Sequence, residues 1–122
     1  MTKTIKALVI GADFTMVEQD IDPVGDDLRE LVGGWIECPP CGDNDLSFFI
    51  NEEGKLQGLP INRLATEMWH ITTPMMRGHD VLVGTVVITG GTDSRGNTLP
   101  LPQGWVRKFS EIIEVDMSED GE

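Results

Sequence analysis

Ile5, Ala7 and Val9 alternate with Lys6, Leu8 and Ile10, a period-two pattern that predicts a strand over Thr4–Ile10 with one face fully buried. Gly11-Ala12-Asp13 reads as a turn and Phe14–Gln19 as the returning strand, so the chain opens with a hairpin. Asp22-Pro23 reads as a helix start, with aspartate as cap and proline in the first turn, although Gly25 moves the start toward Asp26. Leu28, Leu31 and Val32 fall on one face of that helix, and Gly33-Gly34 stops it. Trp35-Ile36-Glu37 then predicts a short strand, and Leu46–Ile50 its partner. Between them Cys38-Pro39-Pro40-Cys41-Gly42 forms a rigid tip, because two prolines remove two backbone donors and exclude a helix.

Asn51–Lys55 reads as a turn closed by Gly54, followed by an extended arm, Leu56–Pro60, and a helix capped by Asn62. Leu64, Ala65, Met68 and Trp69 share one face of this helix, which is core spacing, and Pro74 ends it. Val81–Thr89 is rich in β-branched residues and predicts a strand, with Gly84 marking a bulge or a close backbone approach. A polar loop covers Gly90–Asn97, and Pro100 and Pro102 bracket an extended piece. Trp105, Phe109, Ile112 and Ile113 then predict an amphipathic helix of about two to three turns. The sum is an α+β fold: a single domain over residues 1–117 with a curved, mostly antiparallel sheet of about five strands and two or three short helices, then an acidic tail over residues 118–122.

A chain of 122 residues suits one domain and buries roughly two thirds of the surface that its unfolded form exposes. No apolar run reaches the roughly 20 residues that span a bilayer. The start, Met1-Thr2-Lys3, leads straight into a strand without an apolar signal core, so a cytoplasmic protein is expected. Charge is the strongest global feature: 21 acidic residues against nine basic give −12. Residues 1–45 hold ten acids and three bases, and residues 111–122 six acids and no base, whereas residues 70–110 hold two acids and four bases. Such a surface repels nucleic acid and anionic lipid and attracts basic proteins, and it also serves plain solubility.

The runs Leu31-Val32-Gly33-Gly34-Trp35-Ile36-Glu37, Asn51-Glu52-Glu53-Gly54-Lys55-Leu56-Gln57-Gly58-Leu59-Pro60 and Asn62-Arg63-Leu64-Ala65-Thr66, in this order, carry a resemblance. With Asp80–Gly84 and Val86–Gly91, they resemble a small domain-of-unknown-function family that is frequent in bacteriophages and actinobacterial mobile elements. The resemblance covers roughly residues 3 to 100 and implies a phage-type accessory protein acting in the host cytoplasm. It supplies no activity, cofactor or catalytic residue.

Candidate chemistry is sparse. Cys38 and Cys41 have the spacing of a zinc knuckle, but a tetrahedral site needs two more ligands and His70 and His79 are the only nitrogen candidates in the chain. A second protomer's cysteine pair is the other source of ligands, which would make the chain a zinc-stabilised binding module; a rigid tip with two free thiols is favoured, and no cofactor is expected. Neither histidine accompanies a recognisable nucleophile motif, and no phosphate-binding glycine loop occurs, so no enzyme is expected. Trp35 and Trp69 read as core anchors, and Trp105 as a helix residue packed on the core. The candidate binding residues are Asp22, Asp26, Asp27, Glu30 and Glu52, facing a basic or nucleic-acid-binding host protein, together with Asn62 and Arg63. In a second reading Asn51, Asn62, Arg63 and the Arg77–His79 loop flank the apolar arm as the pocket of an oligomer that sequesters a small molecule or nucleotide.

Overall fold

The computed structural model describes residues 4–120, and their side chains as far as Ile112. In chain order the elements are β1 (Ile5–Ile10), β2 (Met16–Ile21), α1 (Asp27–Val32), β3 (Ile36–Glu37), β4 (Leu46–Asn51), α2 (Arg63–Thr72), a 3-10 turn (Pro74–Met76), β5 (Val86–Gly90) and α3 (Gln103–Asp120). The strands form one open sheet in the order β2-β1-β5-β4-β3, antiparallel at every pairing. This is the expected α+β domain.

Alternation assigns the two faces. Leu8 and Ile10 of β1, Phe48 of β4 and Val86 and Ile88 of β5 pack with Leu64, Ala65, Met68 and Trp69 of α2 and Phe109 of α3. On the other face Ala7, Ile21, Phe49 and Val87 pack against Leu28 and Val32 of the six-residue α1, with Leu31 partly buried beside them. β5 has a neighbour on each side and cover above and below, so all five of its residues are buried. Each large side chain so buried contributes about 1.5–3 kcal/mol before the entropy of ordering is subtracted. Among the described residues no helix is long and apolar enough to cross a membrane.

Several boundaries differ from the expected ones, each for a local reason. β2 begins at Met16 rather than Phe14, because Gly11–Thr15 is itself the turn. The Gly11 N–H donates to the Thr15 carbonyl at 2.9 Å, and the Asp13 carboxylate accepts from the Thr15 hydroxyl at 2.7 Å. Phe14 sits in this turn at φ 70°, a left-handed conformation that glycine usually fills. α1 starts after Asp26; the Asp22 carboxylate accepts from the Val24 N–H at 3.0 Å and so closes a turn instead of capping a helix. Gly33 ends α1 at φ 81°, its N–H returning to the Arg29 carbonyl. The Leu56–Pro60 stretch is not an extended arm: Gln57, Gly58 and Leu59 N–H groups fold back onto the carbonyls of Glu53, Lys55 and Gly54. α3 is longer than expected and runs through Asp120, into the stretch assigned to an acidic tail; Gly121 and Glu122, the end of that tail, lie outside the described residues.

The largest departure is Val81–Thr85, which leaves the sheet. Leu82 donates its N–H to the Thr66 hydroxyl at 2.9 Å and accepts the Asn62 N–H at 2.8 Å, so its backbone is satisfied by the start of α2. Gly84 turns the chain at φ 73°, and a Cβ there would lie 2.8 Å from Leu59 Cδ1. Asn62 joins these parts. Its carbonyl oxygen caps α2 by accepting the Ala65 N–H at 3.0 Å, and its amide donates to the Ile10 carbonyl at 2.9 Å and the Gly84 carbonyl at 2.8 Å. Asn62→Ala removes the cap and leaves two buried carbonyls unpaired, so a loss of about 3 kcal/mol or more is expected. Urea denaturation measures it, with the exposed Leu56→Ala as a control that stays within about 0.5 kcal/mol; equal midpoints for the two variants would show that Asn62 joins nothing.

Candidate functional site

α1, β3 and the turn after β4 come together on the lightly covered side of the sheet. β3 pairs with the end of β4 through Ile36↔Asn51 and Glu37↔Ile50, and the Glu52 N–H donates to the Trp35 carbonyl at 2.8 Å. Asn51 is buried; its amide donates to the Val32 carbonyl at 3.2 Å, tying the end of α1 to the same turn. Trp35 stands at the centre. It is not the core anchor expected of it: it is 64% exposed. The chain leaves α1 through Gly33 and Gly34 into a two-residue edge strand, so the indole has no second layer to enter. The Arg29 guanidinium lies over it, 4.7 Å from the ring centroid. Arg29 in turn pairs with Asp26 at 2.8 Å. A tryptophan directly before a short strand that runs into Pro39-Pro40 signals an edge, and that signal would have placed it correctly.

The acidic candidates divide by task. Asp26, Glu30, Glu37 and Glu52 are exposed; Asp26 is linked to the indole through Arg29, and Glu52 through its backbone N–H to the Trp35 carbonyl. Asp22 and Asp27 are half-buried and hold the loop before α1, the Asp22 N–H donating to the Asp27 carboxylate at 2.8 Å. Asn62 and Arg63 lie on α2, which packs on the other face of the sheet; Arg63 is exposed, and Asn62 is fully buried with every polar atom engaged. Asn51 is likewise engaged inside the protein. The pocket expected around Leu56–Pro60 therefore loses both asparagines as ligand contacts, because burial and internal hydrogen bonds occupy them.

The cysteine tip folds down onto α2. Trp69 Nε1–H donates to the Pro40 carbonyl at 2.8 Å and the Gly42 N–H to Thr73 Oγ1 at 2.9 Å. Cys38 and Cys41 are free thiols, and burial pushes the Cys38 thiol above its usual range. Among the described residues no group of three or more histidine, cysteine, aspartate or glutamate side chains is gathered to hold a metal ion. His70 stacks on Trp69, and its Nε2–H donates to the Asp80 carbonyl at 2.8 Å, while His79 is exposed in a loop.

A shallow groove of about 100 Å³ borders the acidic face, lined by Glu37, Glu52, Lys55 and Asp80 among others. Lys55 pairs with Asp80 across it, and this hydrogen bond holds the Asp80 carboxyl below the usual carboxylate range. A depressed folded value means that the stabilisation is present above the unfolded pKa and is lost as pH falls through the folded one. Asp80→Asn is expected to melt below the wild-type protein at neutral pH, with the gap closing as the solution is acidified below the ordinary aspartate range. A gap of constant size across that range, read from melting temperatures, would remove the Lys55 pair as its cause.

Comparison with curated proteins and with solved structures returns no match. Residues 5–114 match the model described as Domain of unknown function (DUF3846), which spans the sheet, α1, α2 and the first turns of α3. With the whole sheet and the acidic face inside that match, the chain belongs to the DUF3846 family of domains of unknown function.

Proposed function

We propose that this protein is a small, non-enzymatic accessory module of a phage or related mobile element, and that it binds a basic host protein in the host cytoplasm through the α1–β3 face. The observation that carries the reading is Trp35. A large aromatic ring left 64% exposed, beneath an arginine that is itself paired with Asp26, has the composition of a binding hot spot. The net charge of −12 supplies long-range attraction toward a basic surface, and it repels nucleic acid and anionic membranes. In its strongest form the carboxylates of Asp26, Glu30, Glu37 and Glu52 stand where a partner normally meets phosphates.

What supports a binding role over a catalytic one is the use already made of the polar groups. His70, Asn51 and Asn62 hold the fold together, and the free thiols sit on a pinned loop. A catalyst needs a base within reach of a nucleophile and an opening for substrate, and neither group of residues supplies that pairing.

Immobilised protein exposed to host lysate is expected to retain basic or nucleic-acid-binding proteins at low salt and to release them at high salt or on addition of duplex DNA. Trp35→Ala is expected to weaken capture about 30-fold, the loss of one hot-spot residue. Absence of any basic protein among those retained at low salt would refute the reading.

A further inference from the structure

The two edges of the sheet are finished differently. The β3 edge is two residues long and runs into Pro39 and Pro40, which have no N–H to offer a neighbour. The β2 edge is six residues long, pairs with β1 in unbroken register from Ile5↔Ile21 to Ile10↔Met16, and contains neither proline nor glycine. Among the described residues no strand lies beyond it.

Its backbone has a definite polarity. The Gly11–Thr15 hydrogen bond sets the alternation of the antiparallel ladder, so Val17, Gln19 and Ile21 face inward to β1. Met16, Glu18 and Asp20 therefore turn their N–H and C=O groups outward. The same three residues share the sheet face of Leu8 and Ile10, which makes Glu18 and Asp20 a carboxylate row along the open edge. On the inner side this row is already met by a lysine: Lys6 of β1 lies directly across from Asp20, with Nζ 3.1 Å from Oδ1. On the opposite face Val17 is 54% exposed.

We infer that β2 accepts one more strand, supplied by a basic segment of the partner protein. The outward N–H and C=O groups of Glu18 and Asp20 pair with its backbone, alternate lysines or arginines lie beside the two carboxylates as Lys6 does on the inner side, and an apolar side chain between them covers Val17. A second copy of this chain is a poor occupant, because carboxylate rows would meet across the pair. The inference rests on the basic-partner reading above and gives it a second contact: β2 is the sheet edge opposite β3, and its end meets the start of α1 where the Asp22 N–H donates to the Asp27 carboxylate.

The test uses two synthetic peptides of equal composition, one alternating lysine and valine and one with its lysines in a single block. At low salt the alternating peptide is expected to bind about tenfold more tightly, the sum of a few cross-strand pairs. It is also expected to slow hydrogen exchange at the Glu18 and Asp20 amides. Glu18→Pro removes an outward donor without touching the β1 ladder and is expected to abolish the tenfold preference while circular dichroism remains unchanged. Equal binding of both peptides with no protection at Glu18 and Asp20 overturns strand addition and leaves the basic-partner reading standing. Binding of neither peptide at low salt overturns both.

Discussion

The Asn62 carboxamide uses all of its polar atoms inside the protein, and each bond reaches a different part of the fold. One starts α2, one fixes the end of β1, and one fixes the Gly84 turn that leads into β5. A buried amide tolerates few arrangements, since an unpaired donor or acceptor costs on the order of 1–3 kcal/mol. α2 therefore sits over the sheet in one register only. Thr66, one turn further along α2, repeats the arrangement by bonding to both backbone groups of Leu82. Together with the backbone bonds from Asn62 N–H to Leu82 and from Gly84 N–H to Pro60, these two side chains take the place of sheet hydrogen bonds along Leu82–Gly84.

With α2 and α3 held on one face, the other is covered by a single short helix. That asymmetry decides where an interaction can occur. The heavily packed side presents buried tryptophan and phenylalanine, Trp69 and Phe109. The thin side leaves Trp35 at its rim, with Arg29 over it and Asp26 paired to that arginine. The surface least used for folding is thus the one most available for recognition, and the acidic stretch between β2 and β3 lies there.

What the sequence revealed follows from how far each bond reaches. Period-two alternation in Ile5–Ile10 and helical spacing in Leu64–Trp69 are local, and both elements appear where expected. The Asn62 cap was legible for the same reason, since its acceptor bond spans three residues. Its other two bonds span 52 and 22 residues, and nothing local announces them. Val81–Thr85 misleads in the same way: its β-branched run is genuine strand material, and a hydroxyl from α2 takes it out of the sheet. Acids could be counted from the sequence but not sorted. Glu30 and Glu52 face outward, whereas Asp22 and Asp27 brace a loop, and only the backbone path separates these tasks. The exposure of Trp35 is invisible to spacing and is signalled only by Pro39-Pro40, which mark the short strand after it as an edge.

Among the described residues β5 is the last strand along the chain and the middle one in the sheet, between β1 and β4. On a ribosome, both hairpins emerge before the piece that joins them. Until Gly90 has cleared the exit tunnel, β1 and β4 each present a naked inner border, and Ile10 and Phe48 lack the strand that stands between them. Nascent chains of this protein are therefore open to chaperones and to mispairing until β5 has emerged and the sheet can close around it.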